Sequence, residues 1–139
     1  MILVIDANIV ISALLSSQGK TFDLIFSDEV TLFAPEYLID EFRKHEHEIV
    51  DKSGLPHKEV LLFLSLISGR ISFMPLSGFR DQLTSAGMIT PDINDTEYLA
   101  LALRLGCGLW SNDKKLKEQS KVKIYATHEL LQRLKQKGF

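Results

Sequence analysis

The stretch that most constrains this chain is its first eight residues, Met1-Ile2-Leu3-Val4-Ile5-Asp6-Ala7-Asn8. Five apolar residues run unbroken into an aspartate. Such a run reads as a short strand buried on both faces, the kind found inside a parallel sheet. A buried strand has no use for a carboxylate along its length, so Asp6 is expected where the strand ends. In open α/β sheets the carboxyl ends of the strands form the ligand crevice. The remaining sequence therefore poses one question: do other acids arrive at the same edge?

After Asp6 the pattern turns helical. Ile9, Ile11, Leu14 and Leu15 make an apolar stretch that ends in Ser16-Ser17-Gln18-Gly19, and a second short helix is expected over Thr21–Phe26. Val30–Ala34 reads as the second strand, stopped by Pro35, which also starts a helix over roughly 35–51. At about 100° per residue, Leu38, Phe42, Ile39 and Ile49 fall on one buried stripe. Glu41 falls about 100° from the centre of that stripe, at its rim, where a carboxylate could lean over a sheet edge.

Ser53-Gly54-Leu55-Pro56 is a turn, followed by a helix over 56–68 with apolar residues on more than one face. That excess points to a subunit interface. Ile71–Pro75 reads as the third strand, and a short helix is expected around Arg80–Ala86. Thr90–Glu97 opens the next helix, whose inner face carries Leu99, Ala102 and Leu103 and which Gly106 and Gly108 close. Leu109-Trp110-Ser111 is the fourth strand, running into Asn112-Asp113-Lys114-Lys115. Val122–Tyr125 is the fifth, and the last helix begins at Thr127 with Leu130, Leu131 and Leu134 inward. Strands alternate with helices throughout. The expectation is a three-layer α/β/α sandwich around a mostly parallel five-stranded sheet, with residues 1–139 forming a single domain.

The composition bounds the function classes. The chain has 139 residues, 45% of them apolar and 24% charged, as in a folded globular domain. Cys107 is its one cysteine, so no internal disulfide forms. There is no apolar run near 18 residues, and Met1 leads directly into a strand. A cytoplasmic location without membrane contact is therefore expected. Charge is unevenly spread: residues 1–103 hold 7 Lys/Arg against 15 Asp/Glu, a balance of −8, and residues 104–139 hold 9 against 3, a balance of +6. A basic C-terminal third can meet a polyanion, whereas the acidic remainder repels one unless cations intervene. Taken one at a time, Lys114, Lys115, Lys117, Lys121, Lys123, Lys135 and Lys137 read as solvated surface charges.

Each acid has an ordinary reading. Asp6 and Asn8 suit a helix cap, Asn94 with Glu97 a capping box, and Asp95 a helix dipole. Asn112 or Asp113 suits a cap, and Glu41 a partnership with Lys44 or His45. Four acids in these positions at once, three at strand ends or helix starts and Glu41 at a helix rim, are harder to explain as caps. Gathered together they would raise one another's pKa unless cations joined them, and oxygen-only donors favour Mg²⁺ or Mn²⁺.

The ordered set Val4-Ile5-Asp6-Ala7-Asn8, Pro35–Phe42 with Glu41, Asp92-Ile93-Asn94-Asp95 and Ser111-Asn112-Asp113-Lys114 resembles the PIN-domain nucleases, which include the VapC-type toxins of bacteria and archaea. Each motif is weak alone; the order and spacing match over essentially the whole chain. The resemblance implies a metal-dependent endoribonuclease, the toxin of a toxin–antitoxin pair, with Asp6, Glu41, Asp95 and Asp113 as the catalytic, metal-holding quartet. It implies Asn8 and Ser111 as polar supports and Asp92 as a fifth contributor. It further implies one or two Mg²⁺ or Mn²⁺ ions that lower the pKa of a bound water and neutralise the transition state, leaving a 5′-phosphate and a 3′-hydroxyl. Lys114 and Lys115 are candidates for phosphate contacts. The partners implied are RNA, a cognate antitoxin and a second copy of the chain.

Two other readings stand beside it: a PIN-domain nuclease of RNA processing or quality control, and a non-catalytic protein-binding module on the same scaffold. A haloacid-dehalogenase phosphatase would need an aspartate at position 8, where Asn8 stands. A receiver domain would need one after the third strand, where Met74-Pro75 stands. The remaining candidates are weak. His45 and His47, two apart on a helix, face different ways and make a poor zinc pair. His57 and His128 stand alone. Cys107 reads as packing and Trp110 as core, and Gly106-Cys107-Gly108 lacks the surroundings of a phosphate loop.

Overall fold

The computed structural model describes residues 1–16 and 19–135. Five strands form one sheet in the order β3-β2-β1-β4-β5, every neighbouring pair parallel. They are β1 Ile2–Ile5, β2 Thr31–Pro35, β3 Ile71–Met74, β4 Gly108–Trp110 and β5 Ile124–Tyr125. β1 lies at the centre, as its unbroken apolar run demands: Leu3, Val4 and Ile5 have no exposed surface. Full burial of each contributes roughly 1.5–3 kcal/mol.

The helices are α1 Ala7–Leu15, α2 Lys20–Ile25, α3 Tyr37–Lys44, α4 Glu46–Ser53, α5 His57–Ser68, α6 Leu83–Ile89, α7 Thr96–Leu105 and α8 Thr127–Lys135. From β1 to β3 the chain steps outward in one direction; it then returns past β1 and steps the other way. Right-handed crossovers therefore put α1–α5 on one face and α6 and α7 on the other. The strand order reverses between β1 and β4, so the crevice at their carboxyl ends is the topological switch point. Among the described residues no helix is long and apolar enough to cross a membrane.

The elements differ from the sequence expectation in five places. Pro35 is the last residue of β2, paired with Met74, and the adjoining helix waits until Tyr37. A proline has no N–H to give, and the next main-chain N–H, that of Glu36, donates to the Met74 carbonyl at 3.0 Å. The single helix expected over 35–51 is two helices, broken at His45 (φ −110°, ψ 7°), whose N–H bonds back to Phe42. Arg43–Glu48 is wholly polar and has no stripe to hold it straight, so the bend lets Ile49 reach the core beside α1.

The helix expected over Arg80–Ala86 starts later, as α6, after two short 3-10 turns. The fifth strand begins at Ile124 because the Gln119 amide bonds the N–H and carbonyl of Val122, both at 2.9 Å, taking the place of a ladder. Asn94 and Glu97 form no capping box; a 3-10 turn over Ile93–Asp95 precedes α7, with Asp92 as its cap. Positions 17, 18 and 137, which carry the expected end of the first helix and one of the C-terminal lysines, lie outside the described residues.

Two glycines are required by position. Gly106 ends α7 at φ 64°, a left-handed conformation that side chains disfavour. Gly108 opens β4 directly beneath Tyr125, where a Cβ would stand 2.6 Å from a ring carbon.

Candidate active site

Asp6 follows the last residue of β1 in an extended conformation, and its N–H donates to the Trp110 carbonyl of β4. Its side chain is 4% exposed. The cap reading of Asp6 is correct as far as it goes: Oδ1 accepts the Ile9 N–H at 3.0 Å. Ser111, buried at the end of β4, is near enough to favour the charged form of the same carboxylate. Burial still dominates and pushes the Asp6 pKa up to about 7; the Ser111 and Ile9 hydrogen bonds pull down, while Asp95 and Glu41 push up.

Asp95 occupies the position before α7 but makes no capping hydrogen bond with its side chain. Its pKa is pushed up to about 6, first by burial and then by the charges of Asp92, Asp113 and Glu41. Asp113 comes just after β4. Its N–H donates to Ser111 Oγ at 3.1 Å, and its Oδ1 accepts the Lys115 N–H at 3.0 Å. Ser111 thus bonds the backbone of Asp113 and acts electrostatically on Asp6. Asn112 caps α8, accepting the Thr127 N–H at 2.8 Å.

Glu41 stands half-buried at the rim of α3. Its partner is not Lys44 or His45 but Tyr98, whose phenol donates to Oε1 at 2.5 Å. The reason is orientation: Glu41 leans inward over α7, whereas His45 turns to Glu48 on the surface. Asp6, Glu41, Asp95 and Asp113 therefore come from four separate stretches to the carboxyl edge at the β1/β4 switch point. Asp6 feels Asp95 and Glu41, and Asp95 feels Asp113 and Glu41. None is ion-paired to a Lys, Arg or His among the described residues.

The outlying candidates divide. Asp92 is exposed, spends Oδ1 on the Asn94 N–H, and acts on Asp95 by charge. Asn8 is exposed and lines a hollow between α1 and α4 with Ile11, Leu15, His45, Glu48, Ile49 and Lys52, a hollow without any of the four acids. Lys114 lines a cavity of about 460 Å³ with Ser111, Asn112, Asp113, Lys117 and His128, while Lys115 is exposed outside it. Trp110 is core, its indole N–H bonded to Thr127, and Cys107 packs against the core with its thiol pKa raised by burial.

Tyr98 was absent from the sequence expectation. It lies in the first turn of α7, three residues after Asp95, which stands just before that helix, and this nearness to a candidate acid could have flagged it. Burial and the Glu41 carboxylate hold its phenol well above the ordinary tyrosine range, so it is a donor at any physiological pH. Glu97 and Asp40 are further acids that sequence reasoning passed over: burial, then Asp40 and Glu41, raise the Glu97 pKa.

The sequence profile of the PIN domain matches residues 4–135. The chain belongs to the PIN-domain family. PIN domains are generally nucleases and generally use divalent metal ions. No curated protein sequence matches this PIN domain. Its fold is shared by VapBC2 from Rickettsia felis, solved bound to a DNA fragment from their promoter, at 15% identity and TM-score 0.64. That match covers 91% of this chain and 98% of the other. PAE2754 from Pyrobaculum aerophilum is similar at 18% identity and TM-score 0.65, covering 96% of this chain and 89% of that one.

The donor set of this PIN domain suits a hard divalent cation in chemistry: oxygen only, partly buried, mutually repelling and unpaired. Its spacing is wider than ligation requires. Among the described residues no three His, Cys, Asp or Glu side chains stand close enough to hold a metal ion as they are placed.

Proposed function

We propose that this PIN domain, as one domain over residues 1–139, is an Mg²⁺- or Mn²⁺-dependent endoribonuclease and the toxin of a toxin–antitoxin pair. The observation that carries the reading is the gathering of Asp6, Glu41, Asp95 and Asp113 at the switch point with no counter-cation among them. Carboxylates held in that way gain most from a divalent ion, which would be bound by these four. When bound, the ion supplies an activated water and neutralises charge developing on the phosphate.

The protein's own groups do the rest. Ser111 and the Ile9 N–H orient Asp6, and Ser111 also fixes the backbone of Asp113. Asp92 adds negative charge beside Asp95. Lys114, in the cavity next to Asp113, and Lys115, exposed one residue on, contact substrate phosphates. Asn8, in the hollow between α1 and α4, stands apart from the four acids and is left out of this assignment. The fold shared with VapBC2 supports a cognate antitoxin as partner, and Leu61, Leu62 and Leu66, exposed on α5, support a homodimer. The setting is cytoplasmic.

The decisive experiment is Asp6→Asn. Asparagine caps a helix as well as aspartate, so the variant stays folded, while Mg²⁺- or Mn²⁺-dependent cleavage of RNA falls by more than about a hundredfold, beyond what loss of a mere supporting contact costs. Equal cleavage by the wild-type and variant proteins would remove the assigned site. Cleavage that proceeds with no associated antitoxin in the native host would favour a role in RNA processing. Absence of any cleavage by the wild type would leave the protein-binding module.

A further inference from the structure

We propose that Tyr98 is a positioning residue that fixes Glu41 for cation binding, so that α7, which begins directly after Asp95, also orders Glu41 through the phenol. The inference rests on the reading of the acidic quartet as a cation site. Tyr98 is 1% exposed, and its hydroxyl donates to Glu41 Oε1 across 57 residues of sequence. Glu41 has three side-chain torsions and a half-exposed position on α3, so holding it still costs rotamer entropy. Among the described residues, Tyr98 is its one hydrogen-bond partner, and no cation pairs with it.

The phenol is itself held in place. Tyr37 packs against its ring at a centroid separation of 6.3 Å, and the ring is buried in the first turn of α7. One oxygen of Glu41 is thereby tied down, and the other remains to meet a cation. A ligand anchored by a buried donor is the usual arrangement around metal-binding carboxylates, where the outer partner fixes orientation.

The test is Mn²⁺ binding to the full chain, followed by electron paramagnetic resonance, for wild type, Tyr98→Phe, Glu41→Ala, the double variant and Asp6→Asn. Tyr98→Phe keeps the ring and removes the donor. It should weaken Mn²⁺ binding about tenfold with an unchanged unfolding temperature in chelator. Its RNA cleavage should recover as Mn²⁺ is raised, with the KM for RNA unaltered. In the Glu41→Ala background the same change should have no further effect on Mn²⁺ affinity, because the phenol acts through Glu41.

Wild-type affinity in Tyr98→Phe, or an equal loss with and without Glu41, would overturn the proposal. Asp6→Asn separates the two readings. If it binds Mn²⁺ as wild type does, the cation site itself is wrong. If it loses Mn²⁺ while Tyr98→Phe does not, only the role of Tyr98 fails.

Discussion

The acids of this chain live in two settings, the carboxyl edge of the sheet and the outer helical surface, and their protonation moves in opposite directions. Glu48 on α4 receives a hydrogen bond from Lys52 at 2.6 Å and faces His45, and Glu129 on α8 takes Lys117 and the Ala126 N–H; both pKa values are lowered. Asp6 and Asp95 are buried beside other acids, and both are raised. A carboxylate placed for folding finds a cation or a donor and is favoured in its charged form. Asp6 and Asp95 are charged only at a cost to the fold. Raised carboxylate pKa values at one edge of a parallel sheet are the kind of perturbation found at functional sites.

The comparison can be broken first on activity. A cation must displace the protons on Asp6 and Asp95, so cleavage at fixed, subsaturating Mn²⁺ should rise about tenfold as pH climbs through the window from about 6 to about 7, then level off. A profile flat across that window would mean that the edge acids bind no metal.

Stability should show the reverse slope, with a smaller effect. The folded-state values of Asp6 and Asp95 lie above the 3.8 of the unfolded chain, so the folded protein binds more protons between them. Stability from these groups is full below about pH 3.8 and is lost as pH rises through about 6 and 7. In chelator the unfolding temperature should therefore fall by a few degrees (about 2–8 °C) as pH is raised through the same window. Asp6→Asn should flatten that fall, and added Mg²⁺ should restore more at high pH than at low. A rise in unfolding temperature across that window, in chelator, would contradict the assignment of strain to the edge.

The smallest effect belongs to the other setting. Lys52→Ala removes an exposed pair that solvent already screens. Both the unfolding temperature and cleavage should be indistinguishable from wild type. A measurable loss of activity would mean that the α4 surface, with Asn8 and the hollow it lines, takes part in the site.

Much of the site was legible early because its acids sit where local pattern changes. Asp6 follows an apolar run, Asp113 follows Leu109-Trp110, and Asp95 precedes an apolar helix. Glu41 was placed at a rim by angle alone, and it lies there even though the helix used to place it breaks at His45. The calculation survived because the break comes after Glu41. The cap readings were also sound for Asp6 and Asp113, each of which caps a turn and still takes part in the cluster. The capping box expected of Asn94 and Glu97 did not form, and Asp95, expected to complement the helix dipole, stands directly before α7 with its carboxylate free of any cap bond.

By itself the sequence determined the alternation of strands and helices, the buried central strand and the chain positions at which acids would emerge. Those follow from periodicity and from the bar on charge inside an apolar strand, both local properties. Only the tertiary structure decided that Tyr98 donates to Glu41, that Ser111 accepts the Asp113 N–H, and that burial raises the Asp6 pKa to about 7. Hydrogen bonds between remote segments, and the desolvation that raises a pKa, depend on which surfaces close over one another. No local pattern carries that information.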